Sequence, residues 1–100
     1  MIVRLGCRGK INKTVIDTSH FKGNYPDHFS LEGADMKNIE DFDFLSQKVI
    51  WENLLGPEKL NPNKEHFFSF KKSKGPFTHV KLNIFPDGGI ARLRLFGFPV

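Results

Sequence analysis

Arg92 and Arg94 stand two residues apart in Ala91-Arg92-Leu93-Arg94-Leu95, so an extended backbone turns both guanidinium groups to one face. A guanidinium holds a carboxylate through two parallel N–H bonds, a geometry that a lysine cannot copy. The pair reads either as an anion clamp or as two solvent-facing strand residues balanced by nearby acids. His20 is the next candidate, because an imidazole titrates near neutrality and can give or take a proton; it can equally pack over its own loop. Asp17 opens that loop, which also carries Asn24. An aspartate at a strand end commonly accepts backbone N–H bonds and shapes the turn, which is the reading for Asp87 and the competing one for Asp17. His79 lies with Lys81 and Asn83 on the face opposite Val80, Leu82 and Ile84, and that polar face meets either solvent or another repeat.

Other chemistries find less support. His20, Asp27 and His28 are close in sequence, but no recognised metal-ligand spacing occurs, and no metal is expected. Gly88-Gly89 suits a turn better than a phosphate loop, and no Ser/His/Asp arrangement emerges from spacing. Cys7 is the sole cysteine, which excludes an intramolecular disulfide and reads as a small packed residue in a reducing, intracellular setting. Trp51 follows Val49 and Ile50 and reads as a core anchor.

The elements that must position these residues read as β. Strands are expected at 2–5, 14–17, 29–32, 49–52 and 66–70. The clearest pattern is at the end, where 78–84 alternates apolar and polar, Phe85-Pro86-Asp87-Gly88-Gly89 supplies turn formers, and 91–95 alternates again. This predicts a hairpin. Residues 20–28, 56–63 and 73–76 are rich in turn formers. Residues 34–48 are the least clear; Ile39, Phe42 and Leu45 suit a short helical turn or an irregular crossing. About seven short strands in 100 residues argue for one all-β domain, a sandwich or barrel.

Eleven phenylalanines supply much of the core volume. No apolar run approaches the roughly 20 residues of a membrane helix, and the N-terminus is not a signal peptide, so no membrane partner is expected. Fifteen basic residues against eleven acidic give +4, which permits an anionic partner without demanding one. Lys71, Lys72 and Lys74 form the one basic cluster, which reads as a solvated loop. With Phe67, Phe68 and Phe70 it is all that supports an oligonucleotide-binding barrel, whose affinity would fall steeply with salt. No nucleic-acid partner is expected.

Two segments are more specific: Ile16-Asp17-Thr18-Ser19-His20-Phe21-Lys22-Gly23-Asn24-Tyr25-Pro26-Asp27, and the stretch from Thr78-His79-Val80-Lys81-Leu82-Asn83 through Pro86-Asp87-Gly88-Gly89 to Arg92-Leu93-Arg94-Leu95-Phe96-Gly97. With the opening Val3-Arg4-Leu5-Gly6, they closely resemble the allantoicase family in order and spacing. The resemblance implies a jelly-roll β-sandwich similar to galactose-binding-like domains. It also implies hydrolysis of allantoate to ureidoglycolate and urea in purine (allantoin) catabolism, in the cytoplasm. Family members carry two such repeats, and this sequence looks like one, the C-terminal one. Lacking the strands that precede it in the family, it is expected to be an incomplete sandwich with free sheet edges, open to a second repeat or to homo-oligomers. Allantoate is an anion bearing two ureido groups. Its site wants a carboxylate clamp, amide-recognising groups and an acid/base pair. On that basis Arg92, Arg94 and Asn24 are expected to bind substrate and His20 and Asp17 to act catalytically, with no cofactor. The competing expectation is a jelly-roll module that binds a small anion or carbohydrate without turnover.

Overall fold

Alternating apolar and polar residues with many β-branched and aromatic side chains favour extended backbone, and that is what the chain adopts. The computed structural model describes residues 1–36, 49–86 and 88–100. It contains five strands, β1 (Ile2–Asp17), β2 (His28–Ala34), β3 (Glu52–Lys59), β4 (Glu65–Phe85) and β5 (Arg92–Pro99), and no helix among the described residues. All pairings are antiparallel, in the order β3-β2-β4-β1-β5.

The two long strands are shared between two layers. The first residues of β1 pair with the later part of β4, Val3 opposite Val80, and β2 covers the other edge of that part, Leu31 opposite Leu82. The last residues of β1 pair with the earlier part of β4, Ile16 opposite His66, and with β5, Ile16 opposite Leu93. Between these regions the β1–β4 register shifts three times, between Arg4 and Lys13. Such irregularities bend a strand and increase its twist. Gly75 lies at this corner with φ of 117°, where a β-carbon would come within 2.9 Å of Phe77 N. Only glycine takes that conformation without strain.

Folding the sheet over buries one apolar cluster drawn from both layers, including Ile16, Phe29, Leu31, Leu54, Phe77 and Val80. Phe29 of β2 meets Phe68 of β4 edge-on, ring centroids 5.4 Å apart. The result is an all-β sandwich, consistent with a galactose-binding-like jelly roll. One side stays open. Among the described residues, β5 has no outer neighbour and the first residues of β1 are paired on one edge. A groove of about 480 Å³ runs there, lined by Val3, Leu82, Ile84, Leu93 and Leu95, with Arg92 beside it. Met1, Ile2, Phe96, Phe98 and Val100 are exposed.

Several expectations are corrected. The strand at 91–95 does not form a hairpin with 78–84: β5 pairs with residues 9–17 of β1, whose buried Val15 and Ile16 have Phe67 and His66 of β4 on their other side, while 78–84 pairs with β2 and with the first residues of β1. The predicted strands 2–5 and 14–17 are parts of β1, and 66–70 and 78–84 are parts of β4, in which 73–76 is a bend rather than a break. Residues 49–51 precede β3, and β3 runs through Gly56-Pro57, where a turn was expected. An edge position tolerates that proline, since its missing N–H can face away from the ladder. Cys7 is exposed, not packed. Trp51 is half-buried beneath the Lys81 ammonium, which sits 4.7 Å from the ring centroid, rather than in the core. Ile39, Phe42, Leu45 and Asp87 lie outside the described residues.

Candidate functional site

The end of β1 gathers part of the expected site. Asp17 is the last residue of β1 and stands opposite Arg92, while Val15 stands opposite Arg94. The alternation across β5 is as expected: Leu93 and Leu95 are half-buried, and Arg92 and Arg94 are exposed. The Asp17 carbonyl accepts the Ala91 N–H at 2.8 Å, which fixes the start of β5. Its carboxylate accepts the Ser19 N–H at 2.7 Å, a local turn that lifts the chain out of the strand. The Ser19 hydroxyl and N–H hold the Asp17 carboxyl below its ordinary value, and Arg92 and Arg94 add to the effect.

A pH dependence follows. Asp17 has a lowered folded pKa, so the unfolded chain takes up its proton first as pH falls. Its stabilising contribution is complete above the ordinary value of 3.8 and is lost as pH drops through the lower folded value. Asp27 and Glu32 act with the same sign. Chemical denaturation between about pH 5 and pH 2 is expected to show the unfolding midpoint falling, and falling less steeply in Asp17→Asn. Parallel slopes in the two chains would refute the assignment.

His20 sits apart from the arginines. It is exposed, has φ of 72°, and its N–H donates to Asn63 Oδ1 at 2.8 Å. The loop behind it is anchored by Thr18, whose fully buried hydroxyl lies 2.7 Å from the Asn61 carbonyl and accepts the Lys64 N–H. Asn24 is tied through its backbone to the segment that precedes β5: its carbonyl accepts the Gly89 N–H at 2.7 Å. Asp17, Arg92 and Arg94 are therefore neighbours, Asn24 is joined to Gly89 ahead of them rather than to the group itself, and His20 belongs to the 61–64 side of the same loop.

Asp27 and His28 join in surface pairs, with His28 Nδ1 and Lys59 Nζ each 3.1 Å from the Asp27 carboxylate. Among the described residues no three His, Cys, Asp or Glu side chains converge as metal ligands would. Phe68 and Phe70 pack against the core, leaving Phe67 as the exposed ring beside the lysines.

A second polar group lies on the outer face of β2 and β4. Glu32 and Lys81 stand opposite each other, as do Ser30 and Asn83. Lys81 Nζ donates to Glu32 Oε2 at 3.0 Å, and Asn83 Nδ2 lies 3.3 Å from the same oxygen and 3.2 Å from Ser30 Oγ. The Lys81 bond, aided by Asn83 and opposed by burial, holds the Glu32 carboxyl below its ordinary value. His79, on this face too, is buried with Nδ1 2.8 Å from Thr78 Oγ. Sequence reasoning saw the polar face at 79, 81 and 83 but missed Glu32, Ser30 and Trp51. The alternation of residues 29–32 carried the signal, but nothing in one sequence says that β2 lies beside β4.

A five-stranded antiparallel sheet folded into a sandwich defines the class as all-β, consistent with a galactose-binding-like jelly roll. The comparisons make this particular. The family model of the allantoicase repeat matches residues 1–100. A probable allantoicase from Stutzerimonas stutzeri (strain A1501) is 51% identical over 98 residues, and one from Pseudomonas syringae pv. tomato is 47% identical; each match covers 97% of this chain and 30% of the relative. A solved allantoicase structure superposes with a TM-score of 0.78, and the allantoicase crystal structure from Saccharomyces cerevisiae with 0.79. Each of these is 36% identical, with 97% of this chain and 26% of the other covered. The chain belongs to the allantoicase family, as a single repeat, and spans about 30% of the length of the curated relatives it matches.

Proposed function

We propose that this chain is one repeat of an allantoicase-like hydrolase that converts allantoate to ureidoglycolate and urea in the cytoplasm. The observation that carries the reading is the family match over the whole chain, joined to a fold shared with solved allantoicases. In the reaction a water oxygen bonds to the central carbon, the bond from that carbon to one ureido nitrogen breaks, and the proton given up by water ends on the departing urea. Arg92 and Arg94 hold the substrate carboxylate. Asn24 recognises a ureido group. Asp17, ionised at neutral pH, accepts a hydrogen bond from the water, and His20 passes the proton. The open groove beside Arg92 receives further strands, from a second repeat or another copy.

The test is urea release from allantoate by this chain, alone and mixed with the remainder of a longer allantoicase. Turnover is expected in at least one arrangement. Arg92→Gln and Arg94→Gln are each expected to raise KM by about tenfold, at the scale of one charge-assisted hydrogen bond. His20→Ala is expected to lower kcat by about a hundredfold. No urea in either arrangement, from a chain with β-rich circular dichroism, would overturn the reading. The competing reading, a jelly-roll binding module without catalysis, predicts saturable binding with allantoate recovered intact.

A further inference from the structure

Cross-strand pairing explains why Glu32 faces Lys81 and Ser30 faces Asn83. It does not explain Trp51. This residue is outside the ladder, one position before β3, yet its ring is laid 4.7 Å from the Lys81 ammonium. The cation is thus held between a carboxylate and an indole face, with only 28% of its side chain exposed and 30% of Glu32. Such a half-dry arrangement is costly for a plain surface pair, which gains little from partial burial.

The unused bonding capacity has a definite shape. Glu32 Oε2 takes both Lys81 and Asn83, whereas Oε1 accepts nothing among the described residues. Asn83 spends its amide nitrogen on Ser30 and Glu32, and its Oδ1 likewise accepts nothing. An ammonium has three hydrogens, and one is directed at Glu32. The face therefore offers two acceptors, a cationic donor and an aromatic plate. Two acceptors suit the N–H groups of a planar urea, and the ammonium, backed by the indole, suits a carboxylate.

We propose that Glu32, Asn83, Lys81 and Trp51 form a binding site for a ureido carboxylate, separate from the Asp17–Arg92 group. The choice of ligand class rests on the allantoate reading above; the location rests on the geometry. Glu32 Oε1 and Asn83 Oδ1 accept the ureido N–H bonds, Lys81 keeps its bond to Glu32 while donating to the carboxylate, and Trp51 flanks the ammonium that the carboxylate meets.

Trp51 is the sole tryptophan, so its fluorescence reports on this face alone. The probe is N-carbamoylglycine, which carries one ureido group and one carboxylate and has no second ureide to lose. Titrated into the chain, it is expected to change Trp51 emission saturably, at concentrations at least about tenfold below those needed for acetate or urea alone, each of which can make only part of the contacts. Glu32→Gln and Asn83→Ala are each expected to weaken the response by about tenfold, while Lys72→Gln, on the exposed part of β4, leaves it unchanged. Calorimetric binding of the probe without any Trp51 change, or with affinity unaltered in Glu32→Gln and Asn83→Ala, overturns the site. Allantoate turnover by a chain whose Trp51 ignores the probe also overturns the site while leaving the hydrolase reading standing. Absence of binding and of turnover together, in a folded chain, removes both.

Discussion

Phe29→Ala is expected to leave the chain at the edge of unfolding. Phe29 is fully buried on β2, flanked by Ile84 on one side and Glu58 on the other. Its ring crosses to the other layer and meets Phe68 edge-on, at an interplanar angle of 61°. Among the described residues it is the largest fully buried side chain, and few substitutes could fill its place without a void. Removing a buried phenylalanine costs about 3–5 kcal/mol through lost transfer energy and the residual cavity. A domain of this size is held by about 5–15 kcal/mol, so the loss consumes much of its stability. Urea unfolding followed by circular dichroism measures it directly. The matched control is Phe85→Ala, whose ring is 40% exposed and stacks on His28 at the surface; there the cost is expected to stay near 1 kcal/mol. Equal shifts in the two variants would mean that Phe29 does not join the layers into one core.

The same residue shows what a sequence can and cannot say. Alternation at 29–32 identified Phe29 and Leu31 as the buried face, and alternation at 91–95 did the same for Leu93 and Leu95, because the period of two is a local property of extended backbone. The neighbour of each strand is not local. Leu93 lies opposite Ile16, some 77 positions earlier, and no feature of 78–97 distinguishes that pairing from a hairpin. Turn formers misled for a related reason. Gly56-Pro57 and Gly75-Pro76 sit inside strands, at an edge and at a corner, where a kink is accommodated rather than terminating the element.

The site was legible to the same degree. Arg92 and Arg94 share an exposed face, as their spacing requires, and Asp17 supplies the acid opposite Arg92. Proximity and loop membership grouped His20 with Asp17, but Thr18 and Asn63 tie it to the 61–64 turn instead. That tie depends on side-chain bonds between residues more than forty positions apart, which periodicity cannot reveal.

His66→Leu tests that tie and carries the second large expected effect. His66 is buried in β4, and both ring nitrogens are spoken for. Nδ1 lies 3.0 Å from the Ile16 carbonyl and must donate to it, so Nε2 is the acceptor for the Asn61 N–H at 2.9 Å. Asn61 in turn lies within hydrogen-bond reach of Thr18, and Asn63 of His20, so the imidazole is the inner end of a chain of bonds that sets the height of the His20 loop. Leucine has a similar volume and none of the bonding. It would leave a carbonyl and an N–H without their partner, at about 1–3 kcal/mol each. The expected loss is therefore about 2–6 kcal/mol, felt first where the freed N–H lies. Hydrogen exchange should show protection lost at residues 61–64 and at the His20 amide under conditions where β2 amides remain protected. Phe29→Ala should instead lower protection everywhere at once. If His66→Leu unfolds within about 0.5 kcal/mol of the parent chain and the 61–64 amides exchange as before, the imidazole is not what holds the loop, and the position of His20 has another cause.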